Sequence, residues 1–233
     1  MSKADVAIII AAYNEGGSVR KVVESIPLIL PFHSLKVQPI VIDDGSVDNT
    51  EEEAKKGGAL VLHHLINRGQ GAALKTGFDY AVSQNYKAIV SFDADGQHNP
   101  KDITVLVQTL LEGKYDVVLG SRFMGKNPQN IPFLRFVIIK VGVLFTRLLS
   151  RVKVTDTHNG FRAFQPQALR SMNLIQDRME HASEIIDQIG RRHLSFTEVP
   201  VSITYSEYSL KKGQRNSNAF VIAGKMMLHK IIR

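Results

Sequence analysis

Short apolar runs and helical patterns alternate along the first half of the chain. Val6–Ala11 is a continuous apolar run of strand length, and Ser18–Leu30 spaces its apolar residues as a helix does. Pro39–Ile42 is a second apolar run, stopped by Asp43-Asp44-Gly45-Ser46. Asp48–Lys56 reads as a helix closed by Gly57-Gly58. Then come a strand at Ala59–His63, a helix at Gly71–Gln84, a strand at Ala88–Phe92, a helix at Pro100–Leu111 and a strand at Asp116–Leu119. Strands and helices alternating at this spacing predict βαβ units. The fold class is therefore α/β, with a mostly parallel sheet flanked by helices on both faces. Ligands of such sheets sit beyond the carboxyl ends of the strands. Four polar clusters fall at such ends: Tyr13-Asn14-Glu15, Asp43-Asp44-Gly45-Ser46, Asp93-Ala94-Asp95 and Gly120-Ser121-Arg122. One pocket can collect them all.

The second half changes character. Ile131–Val154 is rich in Leu, Ile, Val and Phe but is punctuated by Arg135, Lys140, Arg147 and Arg151. As a straight membrane span it would put Lys140 near the bilayer centre, at a cost of roughly 2.5–3.5 kcal/mol. Two readings remain: a helix lying in the membrane interface with its long basic side chains reaching headgroups, or a helix packed on the sheet. Asn218–Arg233 repeats the style, mixing Phe220, Val221, Ile222, Met226, Met227 and Leu228 with Lys225, Lys230 and Arg233. Two such amphipathic segments in one half favour the interfacial reading.

Charge sharpens this division. The 233 residues carry a net +7, but residues 1–121 hold 11 basic and 15 acidic residues, whereas residues 122–233 hold 18 basic and 7 acidic ones. An acidic half followed by a basic half suits two tasks on one chain, the second facing an anionic lipid or a phosphorylated substrate. Nucleic acid is a poor partner, because there is no Trp and no recognised nucleic-acid motif, and the basic half is apolar. The chain has no Cys, which excludes disulfides, thiolate catalysis and Cys-based metal sites. The apolar run ending at Ala12 is too short for a span and no small-residue cleavage site follows it, so no signal peptide is expected.

Asp93 and Asp95 directly follow a strand, and two carboxylates one residue apart there can converge on a hard divalent cation. Alone, Asp-x-Asp is also an ordinary solvated turn. Gln97 adds a carbonyl oxygen as a further candidate ligand. A Mg²⁺ or Mn²⁺ ion held by few carboxylates takes its other ligands from water and substrate phosphates, which points to a nucleoside diphosphate. The Asp43–Thr50 stretch reads either as an Asp/Gly turn with a helix cap or as carboxylates that accept from nucleobase and ribose. Asn67-Arg68-Gly69-Gln70-Gly71 is a Gly-rich loop before a helix, a weak phosphate signal that matches neither the dinucleotide fingerprint nor the P-loop.

Taken in order, six motifs resemble family 2 glycosyltransferases, and among them the dolichyl- or polyprenyl-phosphate mannose or glucose synthases. They are Ala11-Ala12-Tyr13-Asn14-Glu15, the Asp43–Thr50 stretch, Asn67-x-Gly69-x-Gly71-x-Ala73, Asp93-Ala94-Asp95-Gly96-Gln97-His98, Gly120-Ser121-Arg122 and Asp156-Thr157-His158-Asn159-Gly160-Phe161-Arg162. The resemblance implies a GT-A fold, a divalent metal, a nucleotide-sugar donor and inversion at the anomeric carbon. It implies that Ala11, Tyr13, Glu15, Asp43, Asp44, Asp93 and Ala94 line the donor site, and that Asp93, Asp95 and Gln97 form the metal and diphosphate group. It further implies that Asp95, Arg122 and Arg162 serve catalysis, and that a basic loop closes over the donor, with Lys212, Lys211 and Arg215 as alternatives for one role. Glu184 falls where the family has a helical acidic residue.

Relatives that glycosylate hydroxyls carry a Glu-Asp pair at a helix start; this chain has Glu180-His181 there and no Glu-Asp pair. The resemblance thus implies a polyprenyl phosphate acceptor. The alternative is a sugar or lipid-linked glycan hydroxyl, with His181 or Glu184 as base. A UDP-sugar is favoured as donor, with a GDP-sugar as the other choice. The expected organisation is a catalytic unit over residues 1–210 and a basic loop with an amphipathic helix over 211–233. The expected place is the inner face of the membrane, bound peripherally or through a small membrane protein partner. His158-Asn159 departs from the commoner Thr-Ser.

Overall fold

The structure is a computed structural model that describes residues 4–124, 143, 150, 152–157 and 159–204. Most of the 131–154 segment, all of 218–233, and His158, Lys211, Lys212 and Arg215 lie outside the described residues.

The described elements run β1 (Val6–Ala12), α1 (Val19–Ser25), β2 (Ile29–Leu30), β3 (Leu35–Asp43), α2 (Thr50–Lys56), β4 (Leu60–His63), α3 (Gln70–Ser83), β5 (Ala88–Asp93) and α4 (Asp102–Glu112). They continue through β6 (Val117–Ser121), β7 (Arg162–Phe164), α5 (Pro166–Ser171), α6 (His181–Arg191) and β8 (Phe196–Pro200). The helix expected over Ser18–Leu30 stops at Ser25. Pro27 disfavours helical dihedrals at Ile26, which is extended (φ −74°, ψ 126°). The chain instead adds the short strand β2, antiparallel to β3.

One sheet orders its strands β2-β3-β1-β5-β7-β6-β8, with β4 also on β3. The pairs β1–β3, β1–β5, β3–β4 and β6–β8 are parallel, as the alternation of elements predicts. β7 is antiparallel to both neighbours, β5 and β6, so the sheet is mixed. Three residues between Pro- and Gly-bounded stretches carry no periodicity, which is why β7 is invisible to pattern reading.

β1 is buried on both faces. Val6, Ile8 and Ile10 enter a core shared with α1 and α4, while Ala7 and Ile9 enter one shared with α3, α5 and α6. That is the two-residue alternation of a strand between two helical layers. Val152 and Val154 are buried in the second core, and Val143 and Ser150 are buried as well. Lys153, between the two valines, is exposed, so this stretch alternates buried and exposed positions.

The Gly-rich loop joins the two halves of the chain. The Asp177 carbonyl accepts the Ala72 N–H at 3.0 Å, so backbone from the second half lies over the start of α3. A Cβ at Gly71 would come within 2.1 Å of the Gln176 carbonyl oxygen, and one at Gly69 within 2.4 Å of that of Asp177. The glycines allow this approach of two backbones.

Gly71→Ala should therefore lower the unfolding free energy by about 1–3 kcal/mol, as overpacking does, even though Ala is favoured over Gly within a helix by about 1 kcal/mol. Urea unfolding checks this, and an unchanged or higher midpoint would mean that the 176–178 segment gives way freely.

Candidate active site

Asp93 ends β5 and is held on three sides. Its Oδ1 accepts from Gln70 Nε2 at 3.2 Å, and its Oδ2 lies 2.8 Å from His98 Nε2. On the third side is Gly160, where a Cβ would meet both carboxylate oxygens at 2.8 and 2.9 Å. The antiparallel strand β7 sets this approach, with Ser91 Oγ donating to the Gly160 carbonyl at 2.6 Å. Burial pushes the Asp93 carboxyl up, but the hydrogen bond from His98, with the charge of the buried Arg162 adding to it, outweighs this and holds it below the usual range.

Asp95, one residue past the buried Ala94, goes the other way. Burial pushes its carboxyl up, and the charge of Asp93 adds to that. Its contacts are the Gln97 N–H at 3.0 Å and Gln97 Nε2 at 2.7 Å. Two neighbouring carboxylates thus sit in opposed environments. The two carboxylates offer oxygen donors of the kind Mg²⁺ or Mn²⁺ takes, and the Gln97 side chain beside them presents its amide nitrogen to Asp95.

The parallel register puts the other expected residues alongside. Ala11 pairs with Asp93 on one side and Ile42 on the other, and Ala12 pairs with Asp43. Asn14 (φ 52°) turns the chain in the left-handed region that Asn tolerates. Its N–H donates to Ser46 Oγ at 2.9 Å, and its Oδ1 accepts from the Val47 N–H at 3.0 Å. Tyr13 is 44% exposed at this rim. Glu15 is buried beneath it and accepts from Ser18 Oγ at 2.6 Å.

Asp43 is buried and accepts from the Ser46 N–H at 2.9 Å. His63 Nδ1 lies 3.3 Å from Asp43 Oδ2 and 3.3 Å from Glu51 Oε2. The ligand atoms of these three residues all lie within 4.8 Å of one another, a second grouping able to hold a metal ion that the sequence reading missed. Asp44 is fully engaged with the Gly-rich loop. It accepts the N–H groups of Arg68 and Gly69 at 3.1 and 2.6 Å, and His64 Nδ1 lies at 2.7 Å. It acts as a clamp on that loop.

The two arginines expected to serve catalysis have different surroundings. Arg122 forms a bidentate pair with Asp156, Nε–Oδ2 2.6 Å and Nη2–Oδ1 2.8 Å. Arg162 is 2% exposed and donates to the carbonyls of Asn159, Ala182 and Thr157 at 3.0, 3.1 and 2.9 Å. Burial pulls its pKa down to about 10. Arg162 thus ties strands and loops together, and its charge reaches the site through its effect on Asp93. Lys212 lies outside the described residues.

Glu184 accepts the N–H groups of Ile175 and Gln176, both at 3.0 Å. His181 Nδ1 is 2.7 Å from the Arg178 carbonyl, and burial lowers the ring's pKa to about 4. Neither is placed as a strong base. Sequence reasoning missed the grip of Gln70, His98 and Gly160 on Asp93. Gln97-His98 and Gly160 stand inside the family-like motifs, but only the fold shows what they face.

A family profile described as Glycosyl transferase family 2 matches residues 7–172. The chain belongs to this family. Among its relatives, the UDP-N-acetylglucosamine–dolichyl-phosphate N-acetylglucosaminyltransferase of Methanococcus voltae is 34% identical, over 96% of this chain and 95% of the relative. The polyprenol monophosphomannose synthase of Mycolicibacterium smegmatis is 31% identical, over 88% and 79%. A crystal structure of glucosyl-3-phosphoglycerate synthase from Mycobacterium tuberculosis, in complex with Mn²⁺, UDP and glucosyl-3-phosphoglycerate, matches 96% of this chain and 77% of that one, with a TM-score of 0.70 at 20% identity. The fold is GT-A-like, as the motifs implied, and this glycosyltransferase carries the mixed sheet described above.

The lowered pKa of His181 has a stability consequence. Folded, the ring stays neutral down to about pH 4. Unfolded, it titrates near ~6.5. Between these values the unfolded chain binds the extra proton, so stability falls as pH drops from about 6.5 towards 4 and is unaffected by this group above that window. The contribution over the whole window is about 3 kcal/mol. Urea unfolding at a series of pH values should show a shallower acid loss for His181→Gln than for wild type. Parallel curves would contradict it.

Proposed function

We propose that this glycosyltransferase moves a hexose from a nucleoside diphosphate sugar, a UDP-sugar rather than a GDP-sugar, to a polyprenyl phosphate at a membrane surface, with inversion at the anomeric carbon. The observation that carries the reading is the Asp93/Asp95 pair at the carboxyl end of β5, two carboxylates one residue apart, of which Asp93 is held by Gln70 and His98. Asp95, Asp93 and Gln97 would hold Mg²⁺ or Mn²⁺, which when bound supplies positive charge to the leaving diphosphate.

Each residue then has a task that its surroundings support. Asp43 and Glu15 are carboxylates at the ends of β3 and β1, where nucleobase and ribose would be bound, and Tyr13 offers an exposed ring at the rim. Asp44 positions the Gly-rich loop, and Arg162 fixes the turn that brings Gly160 to Asp93. Arg122, oriented by Asp156, is the cation on the acceptor side of the sheet ends.

The acceptor follows from the base. An alcohol must lose a proton as it attacks, whereas a phosphate is already an anionic nucleophile and needs positioning. Glu184 is engaged by two backbone amides, and His181 is a weak base at a pKa of about 4. The names of the Methanococcus and Mycolicibacterium relatives agree with a polyprenyl-type phosphate. Among the described residues, no helix is long and apolar enough to cross a membrane. The basic segments 131–154 and 218–233, on sequence alone, suit attachment to the anionic inner face.

Incubation with labelled nucleotide sugars and undecaprenyl phosphate, followed by lipid extraction, tests the reading. Label should enter the organic phase only with Mg²⁺ or Mn²⁺, and a chelator should stop transfer reversibly. Asp95→Asn should cut turnover by about 10²–10³-fold without loss of stability, because its carboxyl is already disfavoured as an anion. Undiminished transfer by this variant, or in excess chelator, would remove the metal site.

Attachment to the membrane has its own test. Replacing Arg135, Lys140, Arg147 and Arg151 with Gln should reduce co-sedimentation with anionic vesicles at low salt, each charge being worth up to about 1 kcal/mol. Equal sedimentation across a salt series would show that these side chains do not meet lipid.

A further inference from the structure

His98 is a polar ring in an aromatic pocket. Its side chain is 2% exposed and sits against Phe92 and Phe161, with ring centroids 5.4 and 4.9 Å away. Those two phenylalanines meet edge to face at 5.1 Å. The backbone of His98 is fixed too, by an antiparallel bridge to Ile203. Nδ1 is buried and has no hydrogen-bond partner, while Nε2 lies 2.8 Å from Asp93 Oδ2. A buried N–H left unpaired is costlier than a bare ring nitrogen in the same place. The proton therefore belongs on Nε2, which donates to Asp93. A pocket that needed only filling would take Phe or Leu with no orphaned nitrogen.

We propose that His98 is a positioning residue for the donor site: its immobilised imidazole fixes the direction of the Asp93 carboxylate and so the geometry in which a cation and diphosphate are held. This rests on the donor-site reading above. Gln70 holds the other oxygen and Gly160 closes the third side, so Asp93 presents one orientation. Asp95, hydrogen-bonded among the described residues only to Gln97, is left as the adaptable partner. Groups that orient a ligating carboxylate are worth about 10–100-fold in metal affinity or activity.

Two substitutions separate this role from packing. His98→Phe fills the aromatic pocket without a donor, and His98→Gln returns an Nε2 donor at similar reach. Titration of Mn²⁺ by electron paramagnetic resonance, with and without UDP, reads affinity, and thermal unfolding reads the fold. His98→Phe should fold and lose about 10–100-fold in UDP-dependent Mn²⁺ affinity, and His98→Gln should recover most of it. Wild-type affinity in His98→Phe would overturn the proposal, as would equal losses in both variants with both folded. If His98→Phe does not fold, His98→Gln decides: near-wild-type affinity supports the role and lost affinity overturns it. Nitrogen-15 shifts of His98 in the wild type give a signature independent of the donor reading, and a proton found on Nδ1 would also overturn it. Failure of the donor reading looks different, because wild type would then show no UDP-dependent Mn²⁺ binding at all.

Discussion

The parallel register of β1, β3 and β5 forces negative charge together. Ala12 faces Asp43 and Ala11 faces Asp93, so three strands release their chains side by side with carboxylates at or just past the ends. Like charges gathered in a partly buried place raise one another's cost of ionisation, and Asp95 bears that cost. Much of the surrounding structure manages this crowding. Backbone amides of the following turns point at Asp43 and Asp44, and Ser18 hydroxyl at Glu15. His98 and Gln70 serve Asp93.

The second half of the chain completes this arrangement rather than adding a separate body. β7 slots between β5 and β6, and the buried guanidinium of Arg162 gathers carbonyls from Thr157, Asn159 and Ala182. That places a cation close enough to lower the Asp93 carboxyl's pKa without exposing it to solvent. The backbone over the start of α3 fastens the same half at a second point, reinforced by the exposed pair Arg68–Asp177, whose own worth is small. Arg162, a catalytic candidate from its motif, thus also holds the frame on which the site stands.

Much of this was legible in the sequence. Short apolar runs such as Val6–Ala11 and Ala88–Phe92, of strand length and bounded by turn residues, read as strands buried on two faces, and the polar clusters that stop them fall at the strand ends. What escaped was whatever depends on distant neighbours. Pro27 ended α1 early by a local rule that apolar spacing alone had masked. β7 was too short to show a period. The carboxylates Asp43, Asp44, Asp93 and Asp95 look equivalent as letters. Only their surroundings separate Asp44, which clamps a loop, from Asp95, which among the described residues is hydrogen-bonded only to Gln97. His63 beside Asp43 and Glu51 joins residues from three elements, which spacing could not pair.

The three residues of β7 leave little tolerance in assembly. Phe164 pairs with Ile89 on one side and Val117 on the other, and Arg162 with Ser91 and Leu119. A slip of one residue would turn every side chain of the strand to the opposite face and carry Gly160 away from Asp93. The gap that Gly160 leaves would then be filled by a neighbour with a side chain, against both carboxylate oxygens. The geometry of the Asp93 carboxylate therefore depends on the register in which β7 closes the sheet.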